Sequence, residues 1–430
     1  MAWRRVSINL ILLMGVASLF LLMYSQNPQT MRDMMLKSAE AATGKKSESS
    51  STDKASGDGK EVLVNTNPET IYKTVTLEVT VEATKTITEQ ITQSANIVVS
   101  EPISTLFSVT HFKSKKYNFE KYIISKSRNL DSQEPSVLIV SAIAGNSAFG
   151  GPRKFEDFMK MFSKLSHNKN DISLGFLFKS KDELTSVMNF LLEYENSSPI
   201  LEQYYRITLI YAPFIEDTFT ASRGDRHNDN IQKLRRRVLS RTRNFLINHS
   251  LANEDYILSF DSDVIDVPSQ MLDVFISSDK DIIVPRVRMG DNQDYDLNTW
   301  AGPRVKPNAA EFEKLNANKN DENDFVFIPN RVPGKTRFLS DMIDKKILDN
   351  SEEAGHYAVE VNSVGGAVLF FKTEIFRQGV IFPPFYVIGA EWERVEGYDG
   401  IETEGICYQA KVLGYSCFAF PNIVASHYVE

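Results

Sequence analysis

The sequence predicts an α/β domain built on a largely parallel sheet. From about Ser136 onward, short apolar runs that end in turn residues alternate with longer segments whose apolar residues have helical spacing. Strand, helix and strand in this order place helices between parallel strands, because each crossover returns the chain to the same end of the sheet. Ligands of such sheets bind beyond the carboxyl ends of the strands, so residues that follow a strand are the first candidates for a site.

The individual elements follow in order along the chain. SVLIVSAIAG is a short apolar run that ends in Gly145 and fits a buried strand. FEDFMKMFSKLSH is helical, with one face formed by Phe155, Phe158, Met159 and Phe162. A second strand (DISLGFLFKS), a second helix (KDELTSVMNFLLEYE) and a third strand (YRITLIYAPF) come next. The third helix, NIQKLRRRVLSRTRNFLINHS, begins at a cap on Asp229 or Asn230, and YILSF is the fourth strand.

The N-terminal part of the chain has a different composition. No charged residue occurs from Val6 to Tyr24, a length that can span a bilayer as a helix, and Arg4 and Arg5 precede it. We therefore expect a cytosolic tail (1–5), a transmembrane signal anchor (6–24), a lumenal and partly disordered stem (25–130) and the α/β domain (131–430). A cleaved signal peptide is the competing interpretation, but no clear small-residue cleavage site follows the apolar run.

Composition narrows the classes of function and the compartment. The formal net charge of −8 argues against a dedicated nucleic-acid binder, so we expect no nucleic-acid partner. Two glycosylation sequons, at Asn196 and Asn248, fit a secretory compartment. The two cysteines, Cys407 and Cys417, fit either a disulfide or a pair of buried thiols.

Asp261 and Asp263 stand one residue apart directly after the fourth predicted strand. Two carboxylates this close repel each other, so a cation, a shared proton or solvent must offset their charge. The segment lacks the glycine and the closing glutamate of an EF-hand, and an aspartyl phosphatase would carry this motif at the start of its domain. Two interpretations are stronger: a structural pair that caps a loop, and the Asp-x-Asp motif of a glycosyltransferase that holds Mn²⁺ against a donor diphosphate.

The helix that precedes this pair is strongly basic within an acidic protein. Over about three turns it carries Lys233, Arg235, Arg236, Arg237, Arg241 and Arg243. For any one of these residues a solvated helix face is the simpler explanation. Arginine forks pair bidentately with phosphate oxygens, however, and six cations just ahead of the aspartates favour diphosphate binding by one or two of them.

Several segments occur in an order that resembles a known family. They are GDRHNDNIQKLRRRVLSRTRNFL, the Asp-x-Asp pair, DKDIIVPRV, YDLNTW, VGGAVLFFKTEIFRQGVIFPPF, and ETEGICYQAKVLGY followed by HYVE. Over about Ser136 to Glu430 they resemble the fungal Golgi mannan polymerase subunits, glycosyltransferase family 62. The resemblance implies a GT-A-like (Rossmann-like) fold, Mn²⁺ as cofactor and GDP-mannose as donor. It also implies a single-pass type II Golgi membrane protein that assembles with other mannan polymerase subunits.

The same resemblance implies roles for individual residues. Asp261 and Asp263 would be catalytic and hold the metal, with His427 as a further ligand. Glu402 and Glu404 would complete the catalytic set and face the sugar and the acceptor. The residues implied around the nucleotide and its phosphates are Asp225, Arg226, Arg235, Arg236 and Arg243. Where the sequence departs from the family pattern, Asp182 would replace a lost base- or ribose-binding acid, and Ser426 stands in place of a tryptophan.

Two other features of the resembling segments have simpler explanations beside the functional ones. Gly365 and Gly366 either let the backbone approach a substrate or serve a turn. His427 lies near the C-terminus, where chains commonly fray, so we expect the tail to order over a bound nucleotide and to add little stability.

The implied reaction transfers mannose from GDP-mannose to the α-1,6-mannan backbone of N-linked glycans. Donor and product are both α-linked, so the configuration is retained, and no carboxylate in the sequence stands out as a nucleophile. Front-face attack, with the proton of the acceptor hydroxyl passing to the leaving diphosphate, is therefore favoured. The alternatives are a non-catalytic scaffolding subunit of such a complex and a GT-A transferase with another donor or linkage.

Overall fold

The computed structural model describes residues 107–114, 118–126, 134–145, 148–193, 203–213, 229–317, 330–385 and 400–429. All of them belong to one structural unit, residues 65–430. The predicted tail, the predicted anchor and most of the predicted stem lie outside the described residues, as do Asp225, Arg226 and the sequon at Asn196. Within the described ranges, no helix has the length and apolar character needed to cross a membrane.

An 11-stranded mixed sheet organises the described residues, and a 2-stranded sheet lies beside it. In chain order the strands are β1 (Phe107–Ser114), β2 (Phe119–Lys126), β3 (Val137–Ile143), β4 (Ile172–Phe178), β5 (Arg206–Tyr211), β6 (Tyr256–Asp261), β7 (Val264–Asp266), β8 (Ile282–Arg288), β9 (Trp300–Ala301), β10 (Arg337–Phe338), β11 (Val359–Val361), β12 (Val368–Lys372) and β13 (Cys417–His427). The order in the large sheet is β1-β2-β5-β4-β3-β6-β12-β8-β13-β11, with β7 paired to β13, and β9 pairs with β10.

The centre of the large sheet confirms the predicted α/β fold. The four strands that the sequence predicts are β3, β4, β5 and β6, and they pair in parallel in the order β5-β4-β3-β6. Outside this core the sheet becomes mixed, because β12 lies antiparallel between β6 and β8. The parallel core therefore ends at β6, the strand that carries Asp261.

Helices cover both faces of the sheet. They are α1 (Phe155–Ser163), α2 (Lys181–Glu193), α3 (Asp229–Ser250), α4 (Met271–Ser277), α5 (Ala309–Ala317), α6 (Leu339–Met342), α7 (Thr373–Arg377) and α8 (Ile406–Val412), with 3-10 turns at Lys169–Asp171, Glu353–His356 and Glu402–Gly405. Helices α1, α2 and α4 contribute Phe158, Leu184 and Phe275 to one apolar core. Helices α3 and α7 contribute Leu246 and Ile375 to the other core, so each face of the parallel strands is buried.

The hairpin of β1 and β2 corrects the predicted domain boundary at residue 131. Strand β2 pairs along its length with β5, so residues 107–114 and 119–126 belong to the sheet and not to the stem. The hairpin lies at the sheet edge and carries polar residues such as Glu120 and Lys121, so its hydrophobic pattern is weak. Its place in the fold depends on a partner strand far along the chain, which local periodicity does not reveal.

Strand β13 corrects the expectation of a frayed C-terminal tail. Ser426 pairs with Arg288 of β8 and with Asp266 of β7, and His427 pairs with Val264 and is buried. Backbone pairing within the sheet orders these residues. At the other end of β13, Cys417 forms a disulfide with Cys407 of α8, with 5.9 Å between the Cα atoms. Of the two alternatives for the cysteines, the disulfide is the one that occurs.

Candidate functional site

Asp261 is the last residue of β6, and the turn formed by residues 262–263 connects it to β7. The amide of Asp261 donates to the carbonyl oxygen of Ala367 (2.9 Å), and Ser262 Oγ donates to the carbonyl oxygen of Ala148 (2.8 Å). The turn is thus held by the neighbouring strand on one side and by the loop after β3 on the other. Both aspartates lie at the carboxyl edge of the parallel core, the place where such sheets bind ligands.

Asp261 pairs with a buried arginine of α3. Arg243 Nη2 lies 2.7 Å from Asp261 Oδ1, while Arg243 Nη1 donates to Ser259 Oγ (3.1 Å) and to the carbonyl oxygen of Gly366 (3.0 Å). Burial and nearby carboxylates such as Asp263 raise the pKa of Asp261 to about 6, although Arg243 opposes the shift. The Asp261 side chain is still 40% exposed, so a ligand can reach it from solvent.

Asp263 has a histidine partner. His427 Nε2 lies 3.0 Å from Asp263 Oδ1, and the imidazole stacks on Tyr295 with 3.9 Å between the ring centroids. The other ring nitrogen, Nδ1, lies 2.8 Å from the carbonyl oxygen of Tyr428. Burial alone would lower the pKa of His427, but the hydrogen bond and the charge of Asp263 outweigh burial and raise it.

The tautomer of His427 determines what this pair can bind. A carbonyl oxygen only accepts hydrogen bonds, so Nδ1 carries the proton toward Tyr428, and Nε2 of the neutral ring keeps a lone pair. That lone pair faces a carboxylate oxygen of Asp263, an arrangement that requires either a proton on Nε2 or a cation shared by the two groups. Imidazole nitrogen and carboxylate oxygen are both ligands that suit Mn²⁺.

The predicted metal set of Asp261, Asp263 and His427 is only partly brought together. In the part of the chain that the structure describes, no group of three His, Cys, Asp or Glu side chains is arranged to hold a metal ion. The structure places Asp263 with His427 and turns Asp261 toward Arg243. The pair still fits a divalent cation that takes two ligands from the protein, because such ions commonly take their other ligands from substrate phosphates and water.

Glu402 and Glu404 lie in the 3-10 turn before α8 and are buried against arginines of α3. Arg243 Nε lies 2.9 Å from Glu402 Oε1, and Arg236 Nη1 lies 3.1 Å from Glu404 Oε1. Glu402 has a φ of +60°, a left-handed conformation that costs energy in a residue other than glycine and occurs often at functional sites. Arg243 therefore joins Asp261 and Glu402 in one network at the base of the site.

Comparison with known proteins places the chain in a family. The sequence profile of the Anp1 family matches residues 113–386, which is more than half of the chain and begins within β1. This chain belongs to the Anp1 family. The match confirms the resemblance to mannan polymerase subunits that the motifs indicate.

Two relatives and one solved structure illustrate how distant the similarities are. The Mannan polymerase complex subunit MNN9 of Candida albicans is 24% identical over 290 residues, which cover 64% of this chain and 72% of the relative. The Mannan polymerase I complex VAN1 subunit of Saccharomyces cerevisiae is 28% identical over 245 residues, which cover 54% of this chain and 42% of the relative. Mannosyltransferase PcManGT from Pyrobaculum calidifontis, solved with GDP-Man and Mn²⁺, is 11% identical over 70% of this chain and 58% of that chain. The TM-score of this similarity is 0.32.

The residues predicted around the donor lie in different surroundings in this Anp1-family protein. Arg236 and Arg243 pair with Glu404 and Glu402, so their charges are partly used within the protein. Arg235 is half-buried, and its charge acts on Tyr295, the residue that stacks on His427. Asp182 is exposed in the first turn of α2, after β4. Asp225 and Arg226 belong to the segment that is not described, so their predicted roles stay predictions.

Asp296 is a site residue that the sequence reasoning missed. Its Oδ2 accepts hydrogen bonds from the amides of Gly366 (2.6 Å) and Ala367 (3.1 Å), at the start of the strand that pairs with β6. A Cβ on Gly365 would lie 2.0 Å from Asp296 Oδ2, and one on Gly366 would lie 2.9 Å from Arg243 Nη2. The absence of a side chain at Gly365 and Gly366 therefore leaves room for Asp296 and Arg243. This is a third explanation for the two glycines, beside substrate approach and a simple turn. The available signal was the YDLNTW segment, which contains both Tyr295 and Asp296.

Proposed function

We propose that this chain is a mannosyltransferase with a GT-A-like catalytic domain that works as one subunit of a mannan polymerase complex. It transfers mannose from GDP-mannose to the α-1,6-mannan backbone of N-linked glycans. The observation that carries the proposal is the pairing of Asp263 with His427, beside Asp261, at the carboxyl edge of a parallel sheet in an Anp1-family chain. The acceptor and the complex are inferred from relatives that are named as mannan polymerase subunits.

Mn²⁺ is the proposed cofactor, with Asp263 and His427 as its protein ligands and Asp261 beside them. When bound, the ion would stabilise the negative charge that develops on the leaving GDP. The charges of the site support the need for a cation. Among the described residues, its carboxylates are Asp261, Asp263, Asp296, Glu402 and Glu404, and its arginines are Arg153, Arg235, Arg236 and Arg243. Carboxylates outnumber arginines in this set, so without a cation the set would repel a diphosphate.

Arg243 has a structural role in this proposal. Burial would lower the pKa of its guanidinium, but Asp261 and Glu402 outweigh burial and raise the pKa, so Arg243 stays charged. It holds Asp261 toward the site and Glu402 in its left-handed conformation. Arg235, whose charge acts on Tyr295, is the proposed contact for a donor phosphate.

The glutamates support the front-face route for a retaining transfer. A double displacement needs a carboxylate that attacks the anomeric carbon from the opposite side of the ring. Glu402 and Glu404 are buried, and each is paired with an arginine that lowers its nucleophilicity. In front-face attack the acceptor oxygen bonds to the anomeric carbon as the bond to the diphosphate breaks, and the hydroxyl proton passes to the diphosphate. Glu402 and Glu404 would then help to position the acceptor through Arg243 and Arg236, the arginines that they hold.

The proposed location is the Golgi membrane, with the catalytic domain in the lumen behind a single-pass type II anchor. The disulfide between Cys407 and Cys417 supports an oxidising compartment.

Two alternative functions are retained. A scaffolding subunit is suggested by relatives whose names describe them as parts of complexes. Another donor or linkage on the same fold would place the same cation and arginines against a different nucleotide sugar.

The decisive experiment is a transfer assay on the full-length chain, alone and co-expressed with a second mannan polymerase subunit. The chain is incubated with radiolabelled GDP-mannose, α-1,6-mannobiose and Mn²⁺. We expect a product that an α-1,6-specific mannosidase degrades and that does not form when a chelator removes the metal. No transfer in either form would favour the scaffolding alternative, and transfer from another nucleotide sugar would replace the donor.

A further inference from the structure

The aromatic ring of Tyr428 rests on two consecutive glycines in the loop after β3. A Cβ on Gly150 would lie 2.4 Å from Tyr428 Cγ, and one on Gly151 would lie 2.2 Å from Tyr428 Oη. Both glycines also have left-handed φ values, +82° and +52°, which other residues adopt at a cost. We call Gly150–Gly151 the glycine seat. Both its conformation and its contact with the ring require glycine.

The glycine seat is fixed to the core of the domain. Phe149, the residue before it, is buried and packs against Phe155 and Phe158 of α1, with ring centroids 6.1 Å and 5.6 Å apart. Arg153 Nη1 donates to the carbonyl oxygens of Phe149 (2.9 Å) and Val264 (3.2 Å), so the same loop is bonded to the first residue of β7. A ring that packs on this loop is therefore held in place relative to the Asp-x-Asp turn.

The sheet alone does not fix the orientation of His427. Pairing between β13 and β8 ends at Ser426, and the register of β13 against β7 shifts between Ser426 and His427. Beyond this irregularity the backbone of Tyr428 makes the connecting bonds. Its amide donates to the carbonyl oxygen of Asp263 (2.9 Å), and its carbonyl oxygen accepts from His427 Nδ1 (2.8 Å).

We propose that Tyr428 and the glycine seat are positioning residues for the site. By holding the backbone of Tyr428, the ring on the seat orients His427 Nε2 toward Asp263 and sets the affinity of this pair for a divalent cation. Groups that orient a ligand from behind commonly change metal affinity when they are removed. The inference rests on the proposed function, because it takes Asp263 and His427 as the ligands of the donor's cation.

The test is the affinity of the full-length chain for Mn²⁺ in the presence of GDP, measured by titration calorimetry. Tyr428→Ala should weaken Mn²⁺ binding by about 10- to 100-fold. Tyr428→Phe keeps the ring on the glycine seat and should bind Mn²⁺ like the parent. If the hydroxyl were the important group, this variant would instead lose affinity for Mn²⁺. Val429→Ala is the matched control, because this neighbouring side chain is 52% exposed and should leave the affinity unchanged.

A double substitution tests the contact itself. Gly151→Ala should weaken Mn²⁺ binding because its methyl group displaces the ring. Once the ring is absent, the methyl group has nothing to displace, so Gly151→Ala combined with Tyr428→Ala should bind Mn²⁺ like Tyr428→Ala alone. Losses that simply add would overturn the proposal. Thermal melting of each variant without metal separates loss of affinity from loss of folding.

The outcomes distinguish this inference from the proposed function. If the unsubstituted chain binds no Mn²⁺ with GDP, the metal assignment and this inference fail together. If the parent binds Mn²⁺ and folded Tyr428→Ala binds it equally well, the positioning role is wrong and the proposed function stands.

Discussion

Asp261 and Asp263 are separated by one residue, yet their surroundings differ in kind. Asp261 faces α3, where a buried arginine bonds to it and is itself fixed by Ser259, Gly366 and a glutamate. Asp263 faces the end of β13, where its partner is His427. The charge of an arginine is permanent, whereas the charge of a histidine depends on pH and on what its second nitrogen binds.

We infer from this difference that one aspartate of the motif has a structural role and the other a cation-binding role. We call Asp261 with Arg243 the framework half of the motif. Arg243 also pairs with the buried Glu402, so its removal would leave both carboxylates without their partner. We call Asp263 with His427 the exchangeable half of the motif. Either a proton or a divalent cation can lie between His427 Nε2 and the carboxylate of Asp263, and the two compete for this position. The predictions below test this division.

The largest expected effect is on the framework half. Arg243→Ala leaves two carboxylates, Asp261 and Glu402, without their shared partner, so the free energy of unfolding should fall by about 3–5 kcal/mol. Urea denaturation followed by circular dichroism measures the change.

The control for this substitution lies on the same helix. Arg241 is exposed, so Arg241→Ala should change the free energy of unfolding by no more than about 0.5 kcal/mol. If the two variants unfold at the same urea concentration, Arg243 does not hold the framework together.

The next effect in size compares the two aspartates directly. Asp263→Asn should abolish Mn²⁺-dependent GDP binding, because an amide is a poor replacement for a carboxylate ligand. Asp261→Asn keeps an oxygen that can accept from Arg243, so GDP binding should weaken by only about 10-fold. Calorimetric titration of both variants with Mn²⁺ and GDP measures the difference, and equal losses would contradict the division between the two halves.

The exchangeable half was easier to predict from the sequence than the framework half. The Asp-x-Asp pair follows a strand, and the family resemblance pointed to His427. The partners of the framework half join distant segments: Asp296 bonds to Gly366 and Ala367, and Arg236 reaches Glu404. Local periodicity carries no information about such contacts.

The contrast between local patterns and long-range contacts also explains which parts of the fold can be predicted from the sequence. Strands β3 to β6 and the helices between them are apolar at regular spacing, and they were predicted in order. The edge hairpin of β1 and β2 and the insertion of β12 beside β6 depend on pairings between distant strands. Neither carries a local pattern that determines its partner.

The smallest expected effect is a dependence of stability on pH. In the folded chain the pKa of His427 lies above its ordinary 6.5, and that of Asp261 is about 6 against an ordinary 3.8. At these two groups the folded state binds more protons than the unfolded state, so their contributions to stability without metal fall as pH rises. Burial lowers the pKa of His249 to about 4 and gives a contribution of opposite sign between about pH 4 and pH 6.5, so the two contributions are measured as differences between variants. The contribution of Asp261 is lost from about pH 4 to about pH 6, and that of His427 is complete below about pH 6.5 and lost as pH rises through its folded pKa. The difference in melting temperature between the parent and Asp261→Asn, and between the parent and His427→Gln, measures each contribution across this range.

Mn²⁺ with GDP should reverse the upper part of this dependence, because the cation needs the lone pair that a proton on Nε2 would occupy. The increase in melting temperature on adding Mn²⁺ and GDP should thus grow as pH rises past the folded pKa of His427. His427→Gln is the control: it should remove the metal-free decline above about pH 6.5 and leave the pH dependence below about pH 6 unchanged. A decline above that pH that persists unchanged in His427→Gln would show that another group titrates there. His427 would then not be the group at which a proton and the cation compete.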